Sequence, residues 1–248
     1  MTPAVAVLIA ILSAGSARGR DPVARDFASD VRAVSLPSRI VHDFGRLGSR
    51  ESLRILGVGG VAAAAAHPAD MATLTSLSSS HAAEATLDGG ATLGGSAVQF
   101  GLAGAVYGVG LVTRNEKTAV TGTHLLEAQI VGGVIAQGVK HAVDRARPNG
   151  GRYSFPSGHT ESAFVTADVL LQRFGWKIGI PAYAGAVYVG AARIAEREHY
   201  LSDVVFGAAI GIASARAVAH QGRIRSVRMA PVLARRRAAT YAALEVVW

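Results

Sequence analysis

The 248-residue chain has no cysteine. Disulfides, Fe–S clusters, thiolate-bound zinc and a cysteine nucleophile are therefore excluded, while the compartment stays open. Charge is sparse. Asp, Glu, Lys and Arg make up 17% of residues, against about 25% in soluble domains. Lysine is rare, so nearly all the positive charge is arginine. No zinc finger, RNP motif or long Lys/Arg block accompanies the formal net charge of +8, so nucleic acid is not the expected partner. An anionic membrane surface or an anionic substrate remains. Half the residues are hydrophobic, with long alanine runs among them, and the chain has a further 29 glycines. Small apolar residues in this quantity indicate closely packed helices of the kind used in lipid.

The chain divides by composition. Residues 1–17 hold a short apolar core, Ala4–Leu12, followed by small residues ending Gly15-Ser16-Ala17. This is the pattern of an exported leader or a short anchor, although Met1-Thr2-Pro3 lacks the usual basic residue. Residues 18–52 form a basic N-terminal region, 53–219 a helical domain, and 220–248 a basic tail. Met229–Trp248 reads as a frayed helix or a short hairpin and carries no evident chemistry. Within the domain, charge-free stretches cover Ile55–Ala69, Gly89–Thr113, Ile178–Ala192 and Val204–Ala215. A spanning helix needs about 20 apolar residues, and only Gly89–Thr113 clears that comfortably.

Charge alternates between these stretches. His67–Ser96 has no Lys or Arg, whereas Arg114–Lys117 and Arg173–Lys177 are basic at both ends. By the positive-inside rule the first lies outside the membrane and the other two inside. Residues 18–54 carry eight arginines. That count places them inside, while a cleaved leader would place them outside. The pairs Gly104/Gly108 and Gly207/Gly211 are spaced for close helix contact. Gly57-x-Gly59-x-x-Ala62 follows no strand-like run, so tight helix packing is expected there rather than dinucleotide binding.

Three polar clusters stand out. In Lys140–Pro148, Lys140 and Arg147 are seven residues apart, so a helix would put both cations on one face, and Pro148 ends or redirects it. In Ser154-Phe155-Pro156-Ser157-Gly158-His159-Thr160, Pro-Ser-Gly precedes an apolar helical run. A helix start offers free N–H groups and a positive dipole end to an anion, Gly158 permits close approach, and His159 falls in the first turn. In Arg193–Asp203, His199 and Asp203 are four apart, one helical turn. A carboxylate on one imidazole nitrogen frees the other as nucleophile or base. Taken singly, each has a plain alternative: a basic helix cap, a capped helix with an incidental histidine, a solvated loop.

In this order, Lys-x6-Arg-Pro, Pro-Ser-Gly-His and Arg-x5-His-x3-Asp together resemble the type 2 phosphatidic acid phosphatase (PAP2) superfamily, which includes lipid phosphatases, soluble acid phosphatases and vanadium haloperoxidases. The third motif usually begins Ser-Arg, and here it reads Ala192-Arg193. The resemblance implies an all-α, membrane-embedded helical bundle of the PAP2 type. It implies hydrolysis of phosphate mono- or pyrophosphate esters, of lipids in the first place, through a phosphohistidine and without metal or cofactor. By motif position His199 attacks phosphorus, Asp203 orients it, and His159 protonates the leaving oxygen. Lys140, Arg147, Ser157, Gly158 and Arg193 bind the phosphate, and vanadate is expected to inhibit. Arginine forks suit phosphate oxygens, and lysine adds a point charge. The expected location is the cell membrane with the active site outward. The alternatives are a soluble periplasmic or secreted acid phosphatase of broad specificity, a haloperoxidase, or a non-catalytic membrane protein. His141 is expected on a helix face beside the site, Asp144 and Arg145 as a local pair or at the entrance. His42, His67, His81, His124 and His220 lack partners at readable spacing.

Overall fold

A computed structural model describes residues 36–80, 86–219, 230–236 and 239–245. The proposed leader, His81 and His220 lie outside these residues. The helices are α1 (Leu36–Arg46), α2 (Arg50–Ala66), a 3-10 turn (His67–Ala69), α3 (Asp70–Ser78), α4 (Gly90–Gly94), α5 (Ser96–Val112), α6 (Glu116–Val143), α7 (Gly158–Phe174), α8 (Trp176–Ala195) and α9 (Leu201–Ala219). Residues from Ala219 onward form a separate unit. In it β1 (Ala230–Arg236) and β2 (Ala239–Glu245) pair antiparallel, Ala230 opposite Glu245, which is the hairpin among the two readings of that segment.

Local signals set the helix ends. Asn115 caps α6 by accepting the Thr118 N–H at 3.1 Å, and Asp144 ends it in the left-handed region at φ 45°. Ser157 caps α7, and Gly175 ends it at φ 78°, a conformation that favours glycine. Four helices are long and apolar enough to cross a membrane: Arg50–Ser78, Glu116–Val143, Trp176–Ala195 and Leu201–Val218. The stretch expected to be the clearest span behaves otherwise. Gly95, with extended backbone (ψ 138°), breaks Gly89–Thr113 into α4 and the 17-residue α5. Conversely, the 3-10 turn lets α2 run on into α3, so a stretch that looked short is 29 residues long.

The central helix is α7, buried on almost every side. One flank packs Val165 and Val169 with Ala103, Val106, Leu125, Ala128, Ala215 and Val218. The other packs Ala163, Phe164 and Ala167 with Ala186 and Val189. Small residues allow the close approach. A side chain on Gly207 would meet the Ser157 carbonyl oxygen at 2.5 Å, and one on Gly211 would meet the Glu161 carbonyl oxygen. Gly59 abuts Ala209, the packing role expected of that segment. Gly104 and Gly108 have nothing within 4 Å, so this pair is not at a helix contact. The close approach between α5 and α6 comes instead from Gly110 on Ala119 and Gly122 on Tyr107.

Chain direction sorts the charges. α6 ends and α7 begins at one end of the bundle, where α3, α4 and the start of α9 also lie. Arg114–Lys117 and Arg173–Lys177 link helices at the opposite end. Glu51 joins Arg216 at 3.8 Å, so the start of α2 lies there too.

Gly122→Ala is expected to push Tyr107 away and cost about 1–3 kcal/mol through overpacking, whereas Gly104→Ala, facing open space, should be close to neutral. Thermal unfolding of both variants in detergent checks the pair, and equal behaviour would contradict this packing.

Candidate active site

The three motifs converge at the end of the bundle where α6 stops. Lys140 comes from the last turn of α6, Arg147 from the following loop, His159 from the first turn of α7, Arg193 from the last turn of α8, and His199 from the α8–α9 loop. Together with Gly158 they line one cavity of about 210 Å³. Lys140 is fixed by donating to the Tyr153 carbonyl at 2.8 Å. Arg147 donates through Nε to the Arg152 carbonyl at 2.9 Å. Arg147 also pairs with Glu198, and Arg193 pairs with Glu196 and, at 3.5 Å, with Glu198. Two acidic side chains thus sit against the arginines. Among the described residues no group of three or more His, Asp or Glu is placed to hold a metal ion.

Two expected participants stand behind the wall rather than in it. Ser157 is fully buried, and its hydroxyl oxygen accepts from the Thr160 N–H at 3.4 Å and the Thr160 hydroxyl at 2.9 Å. It acts here as the α7 cap. Asp203 is fully buried behind His199, with its Oδ2 3.7 Å from His199 Nδ1. That is ion-pair range and longer than a hydrogen bond, so Nδ1 has no hydrogen-bond partner.

Asp203 is held by more than its histidine. As the third residue of α9 it reaches back to accept the Tyr200 N–H at 2.9 Å, half of a capping box. Ser154 also donates to Oδ2, and Arg145 donates to Oδ1 at 2.6 Å. The other arm of Arg145 reaches Asp70 at 2.8 Å, and its guanidinium lies 4.2 Å from the Tyr200 ring centre. Asp70 in turn accepts the Ser202 N–H and hydroxyl, both at 2.8 Å, and meets His67 Nδ1 at 2.9 Å. Arg145 is therefore neither Asp144's partner nor an entrance residue. Asp144 pairs with Arg152, and Arg145 ties α3 to α9 beneath the histidine. Sequence spacing offered no sign of this, because Asp70 and Arg145 are 75 residues apart. His67 has Asp70 three residues on, a one-turn spacing that the sequence reading passed over, and meets Arg145 only through the fold. His141 packs edge-on against Tyr153, ring centres 4.7 Å apart, on the helix face expected for it.

The charges around the histidines favour their neutral forms. Burial first, then Arg193, His199, Lys140 and Arg147, lowers His159 to about 4. Burial lowers His199 as well, helped by Lys140 and Arg147 and opposed by Asp203. Neutral His199 has a free nitrogen lone pair.

The profile of the PAP2 superfamily matches residues 121–226. Over 87 residues the chain is 37% identical to a lipid A 1-phosphatase of Porphyromonas gingivalis, covering 34% of this chain and 19% of that protein. Over 96 residues it is 31% identical to a lipid A 4'-phosphatase of Helicobacter pylori, covering 32% and 48%. The chain thus spans less than half the length of these curated relatives. Its fold matches the crystal structure of a transmembrane PAP2-type phosphatidylglycerolphosphate phosphatase from Bacillus subtilis, with a TM-score of 0.59 and 22% identity over 71% of this chain and 98% of that one. It also matches Aquifex aeolicus LpxE, with a TM-score of 0.52 and 23% identity over 60% and 94%.

Arg145→Ala would leave Asp70 and Asp203 buried without their shared cation. The expected loss is about 3–5 kcal/mol, read as a fall in thermal stability in detergent. Arg152→Ala, which removes the exposed pair with Asp144 and the contact over the Tyr153 ring, should cost far less. An Arg145→Ala protein as stable as the parent would show that the clamp carries no load.

Proposed function

Residues 121–226 of this chain belong to the PAP2 superfamily, and on that premise we propose that the protein is a membrane phosphatase. It hydrolyses phosphate mono- or pyrophosphate esters of lipids through a phosphohistidine, without a metal. The observation that carries this reading is the convergence of Lys140, Arg147 and Arg193 with His159 and His199 around one cavity. Phosphoryl transfer is mostly positioning and charge stabilisation, and three fixed cations supply both. An incoming phosphate competes with Glu196 and Glu198 for the arginines. With Nδ1 turned to Asp203, His199 attacks phosphorus through Nε2. The P–O ester bond breaks, and the leaving oxygen takes a proton from His159. Water then attacks the phosphohistidine, giving its proton to His159, and inorganic phosphate leaves.

Two observations support a lipid substrate. The cavity wall includes exposed Ser96 and Gln137 and partly exposed Phe100 (38%), so it opens sideways between α5 and α6. Val58 and Val61 on α2 and Ile180 and Val187 on α8 are each at least 60% exposed, an outer surface suited to lipid and ill suited to the soluble alternative. The lipid A and phosphatidylglycerolphosphate phosphatases similar to this chain belong to the same substrate class. The site end faces outward in this reading, because the basic links and the start of α2 gather at the other end.

Phosphate release from an alkyl and an aryl phosphate by the purified chain in EDTA tests this. Activity should persist and vanadate should inhibit it competitively, as a mimic of five-coordinate phosphorus. His199→Ala should abolish release from both substrates. His159→Ala should cost about 10²–10⁴-fold on the alkyl ester and much less on the aryl ester, whose oxygen leaves without help. Dependence on an added divalent ion, or reversed leaving-group behaviour of the two histidines, would refute the mechanism. Vanadate-dependent halide oxidation would favour the haloperoxidase.

The general-acid role demands a protonated His159, whereas burial first and then the surrounding cations hold it near 4. A bound dianion offsets Arg193, Lys140 and Arg147, so binding should raise the His159 value. At pH 6, imidazole ¹⁵N spectra should show His159 neutral in the free protein and shifting towards the protonated form as vanadate is added. An unchanged spectrum under saturating vanadate would remove His159 from the acid role.

A further inference from the structure

Asp70 is a buried carboxylate with no part in the reaction described above. It opens α3, outside the residues matched by the PAP2 profile, and is 3% exposed. It also lies outside the lining of the cavity. Its Oδ1 accepts the Ser202 N–H at 2.8 Å. Its Oδ2 accepts the Ser202 hydroxyl and Arg145 Nη2, each at 2.8 Å. The Ser202 oxygen in turn accepts from Arg145 Nη1 at 2.8 Å, which leaves its own hydrogen for Asp70. Arg145 Nη1 also donates to Asp203 Oδ1 at 2.6 Å. One guanidinium is thus divided between two buried carboxylates.

A single cation shared by two anions neutralises neither completely. If Arg145 faced Asp203 alone, it would offset most of that carboxylate's charge in a poorly solvated place. Asp203 Oδ2, the oxygen that Arg145 leaves alone, stands 3.7 Å from His199 Nδ1. The charged and titratable groups around His199 come from every neighbouring element. Lys140 lies on α6, Arg147 on the following loop, His159 on α7, Arg193 at the end of α8 and Asp203 on α9. Glu198, the preceding residue, is engaged by Arg147 and Arg193. As Nε2 bonds to phosphorus, the imidazole ring gains positive charge among these cations. The charge of Asp203 is what opposes them there.

We propose that Asp70 is a positioning residue for the nucleophile: by holding one arm of Arg145, it keeps the negative charge of Asp203 directed at His199. This rests on the phosphatase reading above and adds to its site a residue of α3, 129 positions before the histidine it serves.

Imidazole ¹⁵N titration of His199 in the full chain in detergent tests this without turnover. All proteins carry His67→Gln, which removes the other ionisable group against Asp70 Oδ2. Asp70→Asn should lower the pH at which His199 takes up its proton by about 0.5–1 pH unit, because Arg145 then pairs with Asp203 alone. Arg145→Gln should raise it by a similar amount, since Asp203 is left to His199. With Asp203→Asn already in place, Asp70→Asn should move His199 far less, because the two act through one carboxylate. In aryl phosphate hydrolysis, Asp70→Asn should lower kcat and leave KM unchanged. Asp70→Glu, which keeps the charge, should recover much of the loss. If Arg145→Gln does not fold, Asp70→Asn with and without Asp203→Asn decides the matter. If no ester is hydrolysed, the phosphatase reading falls while the titration still decides the role of Asp70. The proposal is overturned if Asp70→Asn leaves His199 unmoved, if Asp70→Asn and Arg145→Gln shift it in the same direction, or if the Asp70→Asn shift is as large in the Asp203→Asn protein.

Discussion

Asp203 is the constraint on which the site depends. Its carboxylate is fully buried, and a buried charge persists only when it is paired and hydrogen-bonded. The fold meets that demand from three directions, Arg145, Ser154 and the Tyr200 N–H, with His199 Nδ1 3.7 Å away on the fourth. Each partner comes from the loops that join the helices at one end of the bundle or from the start of α9. Satisfying this one carboxylate therefore fixes the loop after α6 against the start of α9. The Ser157 N–H donates to the Asp203 carbonyl at 3.0 Å, so the cap of α7 is referred to the same point. The histidine that faces the cavity is positioned by a framework that is itself over-determined.

The second feature is the crowding of like charge. Lys140, Arg147 and Arg193 surround the two histidines, and their mutual repulsion is relieved by Glu196, Glu198 and carbonyl oxygens. Such a cluster is unfavourable by itself and favours whatever anion enters. Burial first, and then these cations, lower His159, while burial with Lys140 and Arg147 lowers His199.

Small residues make the polar interior possible. Gly207 and Gly211 let α9 lie against the backbone of α7, which brings buried side chains within hydrogen-bonding reach across helices. Asp168 on α7 meets Arg216 of α9 at 2.9 and 3.1 Å and the Tyr183 hydroxyl of α8 at 2.7 Å. Gln99, Gln129 and Thr166 join α5, α6 and α7 in the same manner. Where lipid replaces water, helices gain little from the hydrophobic effect, and close packing with interhelical hydrogen bonds takes its place.

The sequence by itself determined the helical class and the three motifs, whose cations and histidines meet at one cavity. Their signals are local: a Lys–Arg interval, a Pro-Ser-Gly helix start, a His–Asp interval of one turn. Helical periodicity also foretold the contacts of Gly59, Gly207 and Gly211. It failed for Gly104 and Gly108, because spacing shows that a helix can be approached closely and not that a neighbour is there. It misjudged the spans for a related reason. Charge-free length does not reveal that Gly95 turns the chain, or that a 3-10 turn carries a helix across His67–Ala69. Only the tertiary structure decided that Arg145 serves Asp70 and Asp203, that Glu198 faces the arginines, and that Glu161 and Gln129 share a cavity with the three cations. These pairings join residues up to 132 positions apart, as Asp70 and Ser202 are. Burial strengthens such contacts after the helices have packed, and nothing in the local chain encodes which distant side chain will arrive.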